Sequence, residues 1–141
     1  MSALQLHYDI PGDDFTRAGE ASSAIKNKLK QMGIAPNVIR NVAIAVYEGE
    51  INMVIHANGG TIDVTVDSDA VSLELQDTGD GIPDVELAMR EGYTTAKEEI
   101  RSLGFGAGMG IPNMIKYTDE FDISSEVGKG TLVKMKVLLS K

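Results

Sequence analysis

Glu48, Asn52 and His56 follow one another at intervals of four residues, a spacing that stacks side chains along one face of a helix. A carboxylate and a carboxamide one turn apart can divide chemical labour. The carboxylate can take a proton from a nucleophile, while the amide oxygen is a hard, neutral ligand suited to magnesium. The same stripe also describes the solvated side of an ordinary amphipathic helix, and taken alone it favours that plainer reading. His56 reads as a helix-end or packing residue rather than a catalyst.

Two further segments bear on chemistry. Asp77-Thr78-Gly79-Asp80-Gly81 directly follows an expected strand. A carboxylate at a strand end, with glycines allowing close backbone approach, can accept a hydrogen bond from an exocyclic amine such as that of adenine. A plain turn would use the same residues. A calcium loop would not, because it needs Asp or Asn where Gly79 lies and Glu where Ala88 lies. Gly104-Phe105-Gly106-Ala107-Gly108-Met109-Gly110 precedes an expected helix, so backbone N–H groups and the helix N-terminus are available to phosphates. The run fails the G-x-G-x-x-G pattern, since Met109 stands where the third glycine belongs, and Gly128-Lys129-Gly130-Thr131 lacks Walker A spacing. As an isolated signal the run is equally compatible with a loop.

The elements that must position these groups follow from periodicity. Residues 4–10 alternate as a strand, ended by Pro11-Gly12. Asp13 and Asp14 are placed to cap a helix reaching about Met32, stopped by Gly33, and Pro36 suits the first turn of a second helix reaching about His56. That helix has Val42, Ile44, Val46, Ile51 and Ile55 for packing, without a clean stripe. Gly49 inside it costs roughly 1 kcal/mol relative to Ala, so it serves either close packing or a bend. Residues 57–60 read as a loop. Residues 61–66 and 70–75 alternate around Asp67-Ser68-Asp69 as a hairpin. A short helix is expected over 84–91, a glycine-rich polar stretch from Gly92 to about Gly108, a helix over 109–117, and strands over 121–126 and 131–139. The order suggests an α/β two-layer sandwich, with a mixed, mostly antiparallel sheet covered by helices on one face.

The 141 residues suit one domain, and 43% hydrophobic with 24% charged residues is ordinary for a globular chain. No cysteine is present, so disulfides and thiolate metal sites are ruled out. The net charge of −8 argues against nucleic-acid and anionic-membrane partners. No apolar run approaches the roughly 20 residues of a membrane span, and no signal peptide precedes the first strand. The expectation is a cytoplasmic protein. Any phosphate ligand must be held by backbone N–H groups, a metal or local Lys and Arg.

Taken together, the three segments resemble the N box, G1 box and G2 box of the GHKL (Bergerat) ATPase superfamily, in that order and with similar spacing. The matches are Glu48-x-x-x-Asn52, Asp77-x-Gly79-x-Gly81 and Gly106-x-Gly108-x-Gly110. Gly128-Lys129-Gly130-Thr131 is similar to the Gly-Thr that closes the family's pocket near adenine. The resemblance covers about residues 15–138. It implies ATP and Mg2+ as cofactors, with Asn52 as metal ligand, Asp77 reading the adenine amine and Glu48 as general base. Gly79, Gly81 and Ile82 would lie against the nucleotide. Thr95, Gly106, Ala107, Gly108, Met109 and Gly110 would line the lid side, and Thr131 would bond near the base. The chain then reads as a single histidine-kinase-like ATPase domain over 1–141, with an ATP lid at about 92–108.

Within the superfamily, 141 residues leave no room for the transducer domain of type II topoisomerases and MutL, nor is there the phosphoacceptor helix of sensor kinases. LGFGAGMGIPNM followed by DEFDISSEVGKGT resembles the compact bacterial anti-sigma-factor and switch serine/threonine kinases, its LGFGAG portion standing closer to the switch kinases. The resemblance implies phosphoryl transfer from ATP to a Ser or Thr of a small STAS-domain (anti-sigma-antagonist) protein. Lys97, Arg101 and Lys129 would be available near phosphate. A sigma factor or phosphatase is a further candidate partner, and a homodimer fits the group. Two alternatives stay open: a nucleotide-dependent binding switch that sequesters a partner without transfer, and a simple ATPase using Glu48 to activate water.

Overall fold

The computed structural model describes residues 4–12, 19–56, 59–77, 110–126 and 129–139. Among the described residues five strands form one sheet: β1 (Leu4–Pro11), β2 (Gly59–Val66), β3 (Ala70–Asp77), β4 (Glu120–Glu126) and β5 (Gly130–Leu138). Their spatial order is β1-β2-β3-β5-β4. Every pairing among the described strands is antiparallel, in keeping with the expected α/β sandwich and its mostly antiparallel sheet. Three helices cover it: α1 (Glu20–Gln31), α2 (Pro36–His56) and α3 (Gly110–Lys116). The expected helix over 84–91 and the glycine-rich stretch over 92–108 lie outside the described residues.

Strand alternation sorts the sheet into two faces. Val64, Val66, Val71, Leu73, Leu75, Val133, Met135 and Val137 are buried beneath the helices. Glu74 and Lys134 lie exposed on the other face, where Lys134 Nζ stands 3.8 Å from Glu74 Oε1. On the same face His7 bonds Asp63 at 2.6 Å and Asp9 at 3.2 Å. Those hydrogen bonds push the His7 pKa up.

Both flanking strands of the central hairpin run two residues further than periodicity indicates. Gly59 and Gly60, expected in a loop, pair with Pro11 and Ile10 of β1, and Gly60 also pairs with Asp77. Glycine is required there by close approach. A Cβ at Gly59, whose φ is 87°, would overlap the Ile10 carbonyl, and one at Gly60 would overlap the Gln76 carbonyl. The turn between β2 and β3 is held by Asp67, whose Oδ1 accepts from the N–H groups of Asp69 (2.8 Å) and Ala70 (2.9 Å).

α1 buries Ala21, Ile25 and Leu29, one stripe at intervals of four. It begins at Glu20 rather than at Asp13 or Asp14, because Gly19 has φ 95° and interrupts the helical path. The proposed capping aspartates lie outside the described residues. At its other end Gly33 (φ 76°) closes the helix as expected. Gly33 N–H donates to Lys30 O and Ile34 N–H to Leu29 O, the Schellman arrangement.

α2 is the central helix, and that explains its untidy apolar pattern. Val38, Ile39, Val42, Ala45, Val46, Ile51, Met53 and Val54 are all buried, because α1, the sheet and α3 each claim a different side. Ile44 is only half-buried. Each fully buried aliphatic side chain contributes roughly 2 kcal/mol, so this one helix organises much of the core. Gly49 resolves in favour of close packing: a Cβ there would overlap Leu75 Cδ2 and lie 3.8 Å from Met114 Sδ.

Candidate functional site

Asp77 stands where the apolar cover of the sheet runs out. Val71, Leu73 and Leu75 point toward the helices, and period-two alternation puts Asp77 next in that row. On β5 the equivalent row is Val137, Met135, Val133 and Thr131. The register aligns Gln76 with Leu132, so Asp77 and Thr131 meet at one rim of the sheet. Thr131 N–H donates to Asp77 Oδ1 at 3.2 Å. Thr131 Oγ1 lies 2.8 Å from Ser125 Oγ on β4, and Ser125 Oγ–H also reaches Gly130 O at 3.2 Å. A carboxylate beside two hydroxyls, with Gly60 paired against Asp77 across the sheet and no side chain between them, forms a polar notch suited to a flat amine-bearing ring.

α2 runs toward the same rim. Gly49 packs over Leu75, two residues before Asp77. The helix ends at His56, shortly before Gly59 enters β2 at that rim. Asn52 lies between these two points, so α2 and β3 both run toward the site and the helix carries Asn52 toward Asp77. Asn52 is half-buried. The His56 side chain lies outside the described residues.

Glu48 is also half-buried, and burial pushes its carboxyl above the usual carboxylate range, partly offset by a hydrogen bond from Asn113. Asn113 Nδ2 donates to Glu48 Oε1 at 3.2 Å. A carboxylate of raised basicity at the margin of a core can accept a proton more readily than one in water.

Glu50, two positions on, behaves differently. It is 2% exposed, and its carboxylate accepts from the backbone N–H groups of Gly19 (3.0 Å), Ala21 (3.2 Å) and Ser22 (3.1 Å). The first turn of α1 has no side-chain cap of its own, so Glu50 satisfies those donors from a neighbouring helix and meets the positive end of the α1 dipole. Sequence reasoning passed over Glu50, although a signal was present. Val46, Glu50 and Val54 form one buried stripe at intervals of four, and an acid inside such a stripe requires donors. Asn113 and Ser125 were also missed, and only tertiary packing reveals them.

Of the remaining candidates, Gly110 is the first residue of α3. Gly79, Gly81, Ile82, Thr95, Gly106, Ala107, Gly108 and Met109 lie outside the described residues, as do Lys97, Arg101 and Gly128. Lys129 is exposed and precedes β5.

The donor set fits a nucleotide-borne metal better than a resident one. Among the described residues no group of three His, Asp or Glu side chains could hold an ion. Magnesium characteristically takes one or two protein ligands and completes its shell with water and phosphate oxygens, and a carboxamide oxygen such as that of Asn52 has the chemistry for such a ligand. An open depression of about 450 Å³ on the helix-free face, lined partly by Asp63, Glu74, Lys134 and Lys136, lies on the opposite side of the sheet from Asp77. Its charges are exposed and paired across strands, Lys136 with Glu120 at 4.0 Å and Lys134 with Glu74. Nothing in it converges on a ligand.

No helix among the described residues is long and apolar enough to cross a membrane. The family model of the histidine kinase-like ATPase domain matches residues 13–137. The anti-sigma F factor of Thermoanaerobacter sp. (strain X514) is 37% identical over 102 residues, covering 69% of this chain and 68% of that protein. The anti-sigma F factor of Caldanaerobacter subterraneus subsp. tengcongensis is 39% identical over the same shares. The serine/threonine-protein kinase RsbT of Bacillus subtilis is 26% identical over 113 residues, covering 77% of this chain and 79% of that protein.

Proposed function

The chain belongs to the histidine kinase-like (GHKL) ATPase family, within its anti-sigma-factor and switch-kinase group, and from that premise we propose that it is a serine/threonine kinase acting on a small STAS-domain protein. The observation that carries the reading is the half-buried, proton-accepting Glu48 on the same helix face as Asn52. A carboxylate whose basicity is raised, one turn from a neutral metal ligand, suits proton removal from a hydroxyl beside a metal-bound phosphate better than it suits a structural role.

In this reading the hydroxyl oxygen of the partner's Ser or Thr attacks the γ-phosphorus, and its proton passes to Glu48. The bond from the γ-phosphorus to the bridging oxygen breaks, and ADP departs with the electron pair. A magnesium ion bound with the nucleotide would supply neutralisation of the phosphate charge, and Asn52 would hold it from the protein side. Asp77 accepts from the adenine amine, and Thr131 lies beside the ring. Gly79, Gly81 and Ile82, with Thr95 and the glycines from Gly106 to Gly110, contribute backbone around the phosphates. We place the reaction in the cytoplasm, within one domain.

A second reading has its own support. The anti-sigma F factors share 37% and 39% identity with this chain, against 26% for the kinase RsbT. This contrasts with the affinity of LGFGAG for the switch kinases. It favours nucleotide-gated capture of a sigma factor as an additional or alternative activity. Intact mass of a STAS-domain partner after incubation with Mg-ATP separates the two. Transfer adds one phosphate to the partner, and Glu48→Ala abolishes that addition while ATP affinity by calorimetry stays within about threefold, under 1 kcal/mol. Capture without any added phosphate would leave only the binding switch. Full phosphorylation by Glu48→Ala would remove Glu48 from the base role.

A further inference from the structure

Asn113 has no part in the boxes that define the nucleotide site, yet its side chain touches the presumed base. α3 carries it three residues beyond Gly110, and its amide Nδ2–H donates to Glu48 Oε1 at 3.2 Å. The backbone beneath it is firmly seated. Ile111 and Met114, on either side of it in sequence, are 8% and 1% exposed. Met114 packs near Gly49, where the missing Cβ lets α3 and β3 close on α2. Thr118 Oγ1–H donates to Met114 O at 2.7 Å and Tyr117 N–H to Asn113 O at 3.1 Å, which secures the end of the helix. The backbone that carries the donor is thus held in place, and the Asn113 side chain has two torsions to order where Glu48 has three.

We propose that Asn113 is a positioning residue for Glu48, holding Oε1 so that Oε2 is presented to the substrate hydroxyl. The proposal rests on the kinase reading and deepens it. An amide suits the task because it donates at every working pH and carries no charge into the site. A Lys in its place would form an ion pair and make Glu48 a weaker base. An Asp would set one carboxylate against another. In the transfer step Oε2 takes the hydroxyl proton as the new oxygen–phosphorus bond forms, and ADP leaves with the electrons of the broken bond. Oε1 keeps its hydrogen bond throughout, so no reorientation is needed at the moment of proton transfer.

The test uses the full chain with Mg-ATP and its STAS-domain substrate. Asn113→Ala lowers kcat at least tenfold, while KM for ATP and the calorimetric ATP affinity stay within twofold. Asn113→Asp, nearly isosteric and so protected against misfolding, lowers kcat at least as far. Independently of turnover, the Asn113 side-chain amide resonance of the wild-type chain shifts on Glu48→Ala, which reports the contact itself. If kcat for both Asn113 variants stays within twofold of wild type while the wild type transfers phosphate, the positioning role is wrong and the kinase reading stands. If the wild type transfers none although the amide resonance shows the contact, the kinase reading fails and takes the positioning role with it.

Discussion

At the scale of single residues, the site depends on which oxygen of each carboxylate is already engaged. Asp77 gives Oδ1 to Thr131 N–H, and Asp77→Asn can keep that bond by turning its carbonyl toward Thr131. The side chain then carries an NH2 group where the carboxylate offered only acceptors, which sets donor against donor at the adenine amine. A hydrogen bond with a charged partner is worth about 1.5–3 kcal/mol, so ATP affinity should fall roughly tenfold or more with little change in thermal stability. Unchanged affinity by calorimetry would refute the adenine assignment. Gly49 is the other residue on which geometry turns. Gly49→Ala gains about 1 kcal/mol of helix propensity but drives a methyl group into Leu75, itself 2% exposed. Overpacking typically costs 1–3 kcal/mol, so we expect net destabilisation of about 1 kcal/mol in urea unfolding. Leu75→Val, which removes the colliding atom, should recover part of it. Additive destabilisation in the double variant would contradict the contact.

At the scale of elements, α1 is tied down by a residue outside itself. Three N–H groups of its first turn converge on Glu50, deep between α1 and α2. Glu50→Ala leaves these donors without their acceptor in a buried place, at a cost of about 2–4 kcal/mol. Hydrogen exchange at Ala21 and Ser22 should accelerate well beyond that of the amides around Leu29. Equal protection at both ends of α1 would mean that water replaces the carboxylate without penalty. Glu48 and Glu50 therefore show how one turn of a helix serves two neighbours, one carboxylate accepting from Asn113 of α3 and the other securing α1. Periodicity located α2 and its Pro36 start, because a long element with many apolar residues leaves a strong local signal. It did not distinguish the two glutamates, since burial of Glu50 is decided by α1, a partner with no local trace in the α2 sequence.

At the scale of the whole molecule, the net charge of −8 makes self-repulsion a general term. Raising salt from about 20 to 300 mM shortens the Debye length from roughly 20 Å to 6 Å, and the melting temperature should rise. The exposed Lys134–Glu74 and Lys136–Glu120 pairs are weakened too, but such pairs are worth little. A fall in melting temperature with salt would show that attractive pairs dominate instead. The layer arrangement was legible in the sequence because hairpin turns and strand alternation are local properties. The extension of β2 through Gly59 and Gly60 was not, since glycines that look like a loop are demanded by the carbonyls of Ile10 and Gln76 across the sheet. Asp77 and Asn52 were readable as chemistry-bearing types. Ser125 and Asn113 were not, because a Ser on a strand and an Asn on a short helix acquire meaning only from what folds against them.

The turn fastened by Asp67 lies at the far end of β2 and β3 from Gly60 and Asp77. Eight residues of strand separate the two ends, roughly 25 Å at the usual rise. Ser68 at its tip is exposed, and the chain has no cysteine of its own. A single Ser68→Cys substitution therefore offers a unique attachment point for a fluorophore or a surface tether, well removed from the nucleotide, through which partner exchange can be followed in real time.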